Sequence, residues 1–584
     1  MRNLSVSILL TLLFSSCSHK PYETKPNIII ILADDQGWGD LSCKGNTNIK
    51  TPNIDKLAET GVTFDRFFVC AVCSPTRAEL LTGRYHVRSG VWSTGAGGER
   101  MDLDETTIAE VFKNAGYATA AYGKWHNGMQ APYHPNSRGF DDFYGFCSGH
   151  WGNYYSPMLE HNGEIIKGDG FIIDDLTQKG LEFIEENADK PFLLYLPFNT
   201  PHSPMQVPDK FWEKYKNKNL AMFYRDKEKE DTLFTKAALA MCENIDWNVG
   251  RISQKVEELG LTENTIILYL SDNGPNGFRW NDNMKGKKGS TDEGGVRSPL
   301  IIKWEGNLRA GKEISEITSG IDLLPTLAEL AGIEVRTTNP LDGLSLKPLL
   351  VDDDAEWQDR IIYNYWGGRL SLRNQKFRLD HENKLFDMEN DPGQYIDVSE
   401  KYPNEYQQLL LAKTNWQKEV ASELDRDAKR PFTIGHPSVF QTQLPARDAI
   451  GHGNIKRSNK YPNSTYLTNW IATTNKITFD AEVLTSGNYE IELFYTCPEE
   501  EIGSNIKLSF KDSQFEFKIN EACNSPLLDD RDIYPRMEGY VKEFHRKKVG
   551  TIYLEEGKGL LTLQATLIPG DHVMDFRLLL LRKI

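Results

Sequence analysis

Short apolar runs alternate with amphipathic stretches over residues 27–330, and this alternation is the feature that most restricts the fold. The runs at 27–33, 117–122, 192–198 and 265–271 each have the length and composition of one buried strand. The stretches between them, such as 235–259, carry the spacing of amphipathic helices. Because buried strands joined by helices form parallel sheets, the pattern predicts an α/β domain with a mostly parallel sheet sandwiched by helices.

The pattern changes beyond this region, which we bound at 26–335. Short strand-like segments and one helix over 336–425 predict a small α+β subdomain. Residues 426–467 are rich in polar residues, Pro and Gly, which predicts a surface linker. From 468 to 584 apolar and polar residues alternate with a period of two, which predicts an additional C-terminal β-sandwich. Several domains accord with a chain of 584 residues.

The first 17 residues have the pattern of an export signal. Arg2 precedes an apolar stretch, 6–14, that is too short to cross a bilayer. Small residues before Cys17 resemble a bacterial lipobox, although Phe14 departs from the usual leucine. We expect cleavage before Cys17, lipidation of its thiol, and a lipoprotein in the periplasm or on the outer-membrane surface. An ordinary signal peptide is the alternative. No other run is long enough for a membrane span.

Charge and cysteine content exclude a general nucleic-acid-binding protein and a disulfide-rich scaffold. With 67 Lys and Arg against 83 Asp and Glu, the net charge of −16 repels nucleic acid, so an anionic substrate needs a local basic site. Cysteines are too sparse for a disulfide scaffold and follow no metal-ligand spacing. Cys497 and Cys523 are candidates for one disulfide in the last domain, but spacing does not fix the pairing.

Reactive side chains follow four of the predicted strands. Ligands of open α/β sheets bind beyond the carboxyl ends of the strands, so these positions are candidate site residues. They are Asp34 and Asp35, Lys124 and His126, His202, and Asp272 and Asn273. Each alone has a simpler interpretation, such as a helix cap or a turn. Together, three carboxylates and an amide suit calcium or magnesium better than zinc, beside cationic groups for a small oxyanion.

Cys73 begins the run Cys-Ser-Pro-Thr-Arg, just before a helical stretch at 77–82. Pro75 near the first turn places Cys73 at the amino end of that helix, which attracts anions. A thiol that only packs is the competing interpretation, because cysteine is often buried without a chemical role.

These motifs resemble the type I sulfatases of the alkaline phosphatase superfamily, over roughly residues 26–424. The most specific is Cys73-Ser-Pro-Thr-Arg77, continued by Leu81-Thr-Gly-Arg84, which resembles the sequence recognised by the enzyme that oxidises this cysteine to formylglycine. The others stand in the family's order: Asn27-Ile-Ile through Asp34-Asp35, Gly123-Lys124-Trp-His126, Thr200-Pro-His202, Ser271-Asp272-Asn273-Gly and Glu293-Gly-Gly-Val-Arg297-Ser-Pro.

The resemblance implies a role for each matching residue. Formylglycine at position 73 would hold one calcium ion together with Asp34, Asp35, Asp272 and Asn273. Arg77 and Lys124 would steady the aldehyde hydrate, and His126 would contact its hydroxyl. His202 and Lys288 would bind sulfate. An oxygen of the hydrate would attack sulfur, and His202 or Lys288 would protonate the departing oxygen. His126 would then help to expel sulfate. Lys287 is adjacent to Lys288, so this assignment rests on register alone.

The resemblance thus implies an exported sulfuric ester hydrolase that depends on a maturation enzyme. Loops at the mouth of the site should choose the ester, and the candidates for substrate binding are His150, Trp151, Trp366 and Arg369. An aromatic loop that packs on the sheet is the alternative for the first two. The predicted anchor and sandwich favour a carbohydrate sulfate. The competing functions are a phosphatase or phosphonate-type hydrolase with two zinc ions, and a non-catalytic surface glycan-binding lipoprotein.

Overall fold

The computed structural model describes residues 25–426 and 430–584. The predicted export signal and Cys17 lie outside these residues. Among the helices of the described ranges, none combines the length and apolar character that a membrane span requires.

A mixed, 11-stranded sheet forms the centre of the larger, α/β domain. Its strands are β1 Asn27–Asp34, β2 Val62–Phe68, β3 Ala118–Lys124, β4 Asp142–Phe146, β5 Met158–His161, β6 Glu164–Lys167, β7 Phe192–Pro201, β8 Thr265–Ser271, β9 Arg297–Lys303, β10 Lys312–Ile314 and β11 Thr318–Ser319. They lie in the order β10-β2-β9-β8-β1-β7-β3-β4-β5-β6, with β11 beside β2. The five central strands from β8 to β4 are parallel to one another, and β9 on one side and β5 and β6 on the other run antiparallel to their neighbours toward the centre. The predicted fold class is confirmed.

Helices cover both faces of this sheet. They are α1 Pro52–Thr60, α2 Cys73–Thr82, α3 Ile108–Asn114, α4 Ile172–Glu186, α5 Asp209–Trp212, α6 Thr232–Glu258, α7 Glu293–Val296, α8 Leu323–Leu330 and α9 Lys347–Val351. Ile29 and Ile31 of β1 pack with residues of α1, α4 and α6, whereas Ile28 and Ile30 pack with residues of α2, α3 and α8. Because successive side chains of a strand face opposite ways, β1 is buried along its whole length and its sequence is continuously apolar.

A smaller antiparallel sheet follows, in the region where the sequence predicts an α+β subdomain. Its strands are β12 Ile362–Trp366, β13 Arg369–Arg373, β14 Phe377–Leu379 and β15 Leu385–Asp387, and the helix α10 Pro403–Glu419 packs on it. Leu409 of α10 lies in one buried cluster with Leu372 and Leu379 of this sheet. Hydrogen bonds from Asn364 to the carbonyl oxygen of Val69 and from Ser371 to that of Thr291 hold the hairpin of β12 and β13 against the larger domain.

Two six-stranded sheets enclose the core of the C-terminal part. The strands are β16 Phe432–Ile434, β17 Gln441–Pro445, β18 Ile450–His452, β19 Lys456–Arg457, β20 Leu467–Thr468, β21 Lys476–Val483, β22 Gly487–Thr496, β23 Asn505–Phe510, β24 Ser513–Lys518, β25 His545–Leu554, β26 Gly557–Leu567 and β27 Asp575–Lys583. The stretch 426–467, predicted to be a linker, instead supplies β16 to β19 to both sheets. These strands have only 2 to 5 residues, too few for a period to appear in the sequence.

The two candidate disulfide cysteines lie opposite each other in this sandwich. The backbones of Cys497 and Cys523 exchange two hydrogen bonds of 2.8 Å across an antiparallel bridge. Both side chains are nevertheless free thiols, and the described residues contain no disulfide. The Sγ of Cys497 lies 3.4 Å from the carbonyl oxygen of Val573 instead.

A buried ion pair joins the sandwich to the α/β domain. Arg447 Nη2 lies 2.9 Å from Glu99 Oε1, and both side chains are 1 % exposed. Arg447 also donates to Ser148 Oγ, and the adjacent Asp448 accepts from Gln130. Removal of one partner from such a pair leaves an uncompensated buried charge, so the stability of each domain depends on the other.

We expect Arg447→Met to lower the free energy of unfolding by about 3–5 kcal/mol, because the Glu99 carboxylate would remain buried without its cation. Denaturant unfolding monitored by fluorescence measures this change. Lys558→Met is the matched control, since Lys558 is 64 % exposed and lies 3.9 Å from Glu482. An Arg447 variant as stable as this control would contradict the prediction.

Candidate active site

Carboxylates from two neighbouring parallel strands meet at the carboxyl edge of the large sheet. Asp34 ends β1, and Asp272 follows β8, which pairs with β1. The N–H of Asp35 donates to Asp272 Oδ1 at 3.1 Å, and Asn273 Nδ2 donates to Asp35 Oδ1 at 2.9 Å. Asp35 has a φ of 69°, so the chain turns sharply and keeps its carboxylate in the cluster. All four side chains are buried.

Each of the three carboxylates has its own cation. Arg77 Nη2 lies 2.8 Å from Asp272 Oδ2, and Lys124 Nζ lies 2.6 Å from Asp34 Oδ2. Lys288 Nζ lies 2.6 Å from Asp35 Oδ1. Charges buried this deeply are tolerated only when they are paired and hydrogen-bonded. The site is therefore a nearly balanced cluster of charges shielded from water.

The pKa values of two carboxyl groups show the effect of this crowding. Burial alone would raise the pKa of Asp34, but Lys124, His202 and Arg77 hold it well below its usual range. The pKa of Asp272 is raised well above its usual range by burial and by repulsion from Asp34. A cation bound between these two groups would remove that repulsion and keep both carboxylates ionised.

The cluster also contains buried oxygen atoms that no donor of the described residues contacts. These are Asp34 Oδ1 and Asn273 Oδ1. Unpaired buried acceptors are rare and indicate that another group completes the site. Asp34, Asp272 and Cys73 offer ligand atoms that all lie within 4.8 Å of one another. Carboxylate and amide oxygens are the usual ligands of calcium and magnesium, so these residues fit a hard divalent cation.

Cys73 is the first residue of α2, as its sequence context predicts, and it is 3 % exposed. Thr76 Oγ1 donates to the carbonyl oxygen of Asp272 at 2.6 Å, which ties the first turn of α2 to the end of β8. Pro75 lies in that turn, where the missing N–H costs nothing. The positive end of the helix and the cluster of carboxylates thus meet at Cys73.

Two histidines flank the cluster, and each has one ring nitrogen bound to a backbone carbonyl oxygen. Burial, together with Lys124, lowers the pKa of His126 well below its usual range, so its ring is neutral. Its Nε2 donates to the carbonyl oxygen of Thr94 at 3.0 Å, which leaves Nδ1 as a buried acceptor without a partner. His202 Nδ1 donates to the carbonyl oxygen of Ser203 at 2.8 Å, so its Nε2 faces Asp35 Oδ2 at 3.7 Å.

The two candidate lysines point in different directions. Lys288 Nζ contacts Asp35, whereas Lys287 Nζ lies 5.0 Å from the ring centroid of Phe278. Both lysines line a groove of about 780 Å³. Arg369 is exposed and donates to the carbonyl oxygen of Gly289 at 2.7 Å, so it lies at the rim beside Lys288. The geometry selects Lys288 for the interior.

Two other predicted substrate residues do not face the cluster. Trp366 packs against a buried group that includes Phe68 and Val296. Trp151 stacks on Phe146 with ring centroids 4.9 Å apart and lines a pocket between the two domains. The Trp151 ring thus packs on Phe146 of β4, and a role in substrate binding stays a prediction. In contrast, the ring of His150 lies 5.5 Å from that of His202 and belongs to the site.

The structure brings one further residue, Glu538, to the site, and no motif or periodicity in the sequence predicts it. Glu538, in the C-terminal part, accepts a hydrogen bond of 2.7 Å from Ser203 Oγ, although 335 positions separate the two residues. It lies between predicted strands in a segment without periodicity, so only the folded structure brings it to His202.

Known protein families and known proteins match this chain over the region that contains the charged cluster. The Sulfatase family model matches residues 26–333, and the model for the C-terminal region of N-sulphoglucosamine sulphohydrolase matches residues 287–427. N-acetylgalactosamine-6-sulfatase of Mus musculus is 31% identical over 381 residues, or 59% of this chain and 69% of that protein. Steryl-sulfatase of Rattus norvegicus is 30% identical over 463 residues, or 63% of this chain and 77% of that protein.

A solved structure gives the same result. The crystal structure of Ps i-CgsB in complex with k-i-k-neocarrahexaose superposes on this chain with a TM-score of 0.62, and the two sequences are 30% identical. The match covers 69% of this chain and 94% of that one. Neither family model reaches the sandwich that begins at β16.

Calcium should stabilise the metal-free protein, because it would offset repulsion among the carboxylates and satisfy the two unpaired oxygens. At a concentration 100-fold above the Kd, we expect a gain of about 2.7 kcal/mol. Thermal unfolding with and without calcium measures it. Asp272→Asn should reduce the gain, and Asp512→Asn, at an exposed turn, should keep it. An equal gain in all three proteins would place the calcium elsewhere.

Proposed function

The chain belongs to the sulfatase family, and on this premise we propose that it hydrolyses sulfate esters of carbohydrates with a formylglycine made from Cys73 and one bound calcium ion. Its sulfatase relatives make it a sulfuric ester hydrolase. The observation that carries the proposal is the position of Cys73. The residue stands at a helix amino end, within 4.8 Å of ligand oxygens of Asp34 and Asp272.

Oxidation of Cys73 would suit this position. A thiol sulfur is a soft ligand, whereas calcium and magnesium prefer oxygen. A hydrated aldehyde at residue 73 would supply one hydroxyl as the nucleophile. Loss of the proton from its second hydroxyl would break the bond from carbon to the sulfated oxygen, which releases sulfate and restores the aldehyde. An unmodified serine would be left as a stable sulfate ester, and an unmodified cysteine as an S-sulfonate. The maturation enzyme that performs this oxidation is therefore a proposed partner.

The proposed ligands of calcium are Asp34, Asp35, Asp272 and Asn273, and magnesium suits the same oxygens. The bound ion would supply positive charge where negative charge develops on the reacting oxygens. The same donor set disfavours two zinc ions, because zinc prefers histidine and cysteine ligands. This argues against the phosphatase and phosphonate-hydrolase alternative.

The remaining residues would bind sulfate and move protons. Lys124, Lys288 and Arg77 carry positive charge at the cluster and would stabilise the equatorial oxygens of sulfate. His202 or Lys288 would donate a proton to the departing oxygen. His126, with a neutral ring and a free Nδ1, would accept a proton as sulfate is expelled.

The choice of a carbohydrate rests on the relatives and on the polar rim. N-acetylgalactosamine-6-sulfatase acts, by its name, on a sulfated sugar, and Ps i-CgsB was solved with an oligosaccharide, whereas steryl-sulfatase names a steroid. His150 and Arg369 supply polar groups around the cluster, which suits a hydroxylated substrate better than a sterol.

We further propose export and a lipid anchor at Cys17, from the sequence of the first 17 residues. The complete set of charged residues argues against a non-catalytic glycan-binding lipoprotein.

Cys73→Ala should lower sulfate release from 4-nitrophenyl sulfate and from sulfated saccharides by at least about 1000-fold, because the nucleophile is lost. Cys43→Ala, which changes an exposed free thiol, is the control and should retain full activity. Retained hydrolysis in the Cys73 variant would refute the catalytic assignment.

Mass spectrometry of the active protein should find the peptide that contains residue 73 in its aldehyde form. The carbohydrate assignment has a separate test, which is a screen of sulfated mono-, oligo- and polysaccharides. Release of sulfate from aryl esters but from none of these saccharides would contradict that assignment alone.

A further inference from the structure

The C-terminal sandwich places a carboxylate beside the active site. Glu538 Oε2 accepts a hydrogen bond from Ser203 Oγ at 2.7 Å. Glu538, His150 and His202 offer ligand atoms that all lie within 4.8 Å of one another. His202 is itself 3.7 Å from Asp35 in the charge cluster. Glu538 therefore lies on the side of the site where the leaving oxygen and its sugar would lie.

The segment that carries Glu538 is firmly attached to the α/β domain. It connects β24 to β25, and the N–H of Ile533 donates to the carbonyl oxygen of Met205 at 3.0 Å. Gln206 Nε2 donates to Asp532 Oδ1 at 2.8 Å. Arg536 Nη1 donates to the carbonyl oxygen of Gly152 at 2.5 Å. Because these three contacts hold the backbone just before Glu538, the carboxylate has a defined position at the site.

The ring nitrogens of His150 have no hydrogen-bond partner among the described residues. The residue is only 5 % exposed, so both Nδ1 and Nε2 are buried without a partner there. Burial lowers the pKa of His150 to about 3, so the ring is neutral and has one donor and one acceptor nitrogen. Leaving two polar atoms unpaired at a buried position is costly, and such atoms at a site indicate a ligand that supplies their partners.

We propose that His150 and Glu538 bind a free hydroxyl group of the sugar next to the carbon that carries the scissile sulfate, and that Glu538 is a specificity residue supplied by the C-terminal sandwich. This inference rests on the proposed function. A hydroxyl group both donates and accepts, so it matches a neutral imidazole beside a carboxylate. A second sulfate or a carboxylate at this position only accepts, and Glu538 would repel it.

The sandwich is thus a part of the active site. Its backbone segment brings one charged group to the sugar, and the α/β domain brings the groups that react with the sulfate. We expect the enzyme to prefer a monosulfated sugar over the same sugar with a second sulfate on the neighbouring hydroxyl.

Two variants of Glu538 test the proposal. Glu538→Ala should lower kcat/KM for a monosulfated sugar about 10- to 100-fold more than kcat/KM for 4-nitrophenyl sulfate, because the aryl ester has no hydroxyl to lose. Glu538→Gln keeps the shape of the side chain and one acceptor oxygen, but it removes the charge and replaces the other acceptor oxygen with an N–H donor. This variant should raise the ratio of kcat/KM for the vicinal disulfated sugar to that for the monosulfated sugar by about 10-fold or more.

The matched control is Glu555→Ala, at an exposed turn between β25 and β26 of the same sandwich, which should behave as the wild type with all three esters. Equal losses for sugar and aryl esters in Glu538→Ala, or an unchanged ratio in Glu538→Gln, would overturn the specificity role. If the mature wild type hydrolyses no sulfate ester, the proposed function fails instead, so the two failures are distinguishable.

Discussion

The balance of three buried carboxylates against three cations, two of them fully buried, is the constraint on which the rest of the site depends. Asp34, Asp35 and Asp272 each contact a separate cation, at 2.6 to 2.8 Å. None of these charges would be stable without its partner at such burial. The arrangement requires that β1, β3 and β8 end at the same edge of the sheet, which parallel neighbours provide. It also requires that α2 begin at that edge, which brings Cys73 to the carboxylates.

This part of the site could be predicted from the sequence, because its reactive side chains come at the carboxyl ends of strands. Asp34, Lys124 and Asp272 come directly at or after buried apolar runs, and parallel strands bring such positions together. The register between Lys287 and Lys288 could not be decided in this way. The two residues occupy an irregular loop, and only the contact of Lys288 with Asp35 distinguishes them.

The C-terminal part was predicted less well, for physical reasons. The strands in the supposed linker are short, and their polar composition reflects positions at sheet edges and at the domain interface. Asn463, within that stretch, donates to the carbonyl oxygen of Thr94 at 2.9 Å, the same oxygen that accepts from His126. The sandwich therefore contacts the site from two directions, at Asn463 and at Glu538. Contacts between residues hundreds of positions apart leave no periodic trace in one sequence.

A crystal structure of the mature, active protein grown with calcium would test the central claim most directly. We predict one calcium ion between the oxygens of Asp34, Asp35, Asp272 and Asn273, and an oxygen in place of the sulfur at residue 73. An intact cysteine sulfur in fully active protein, or two zinc ions at this cluster, would contradict it.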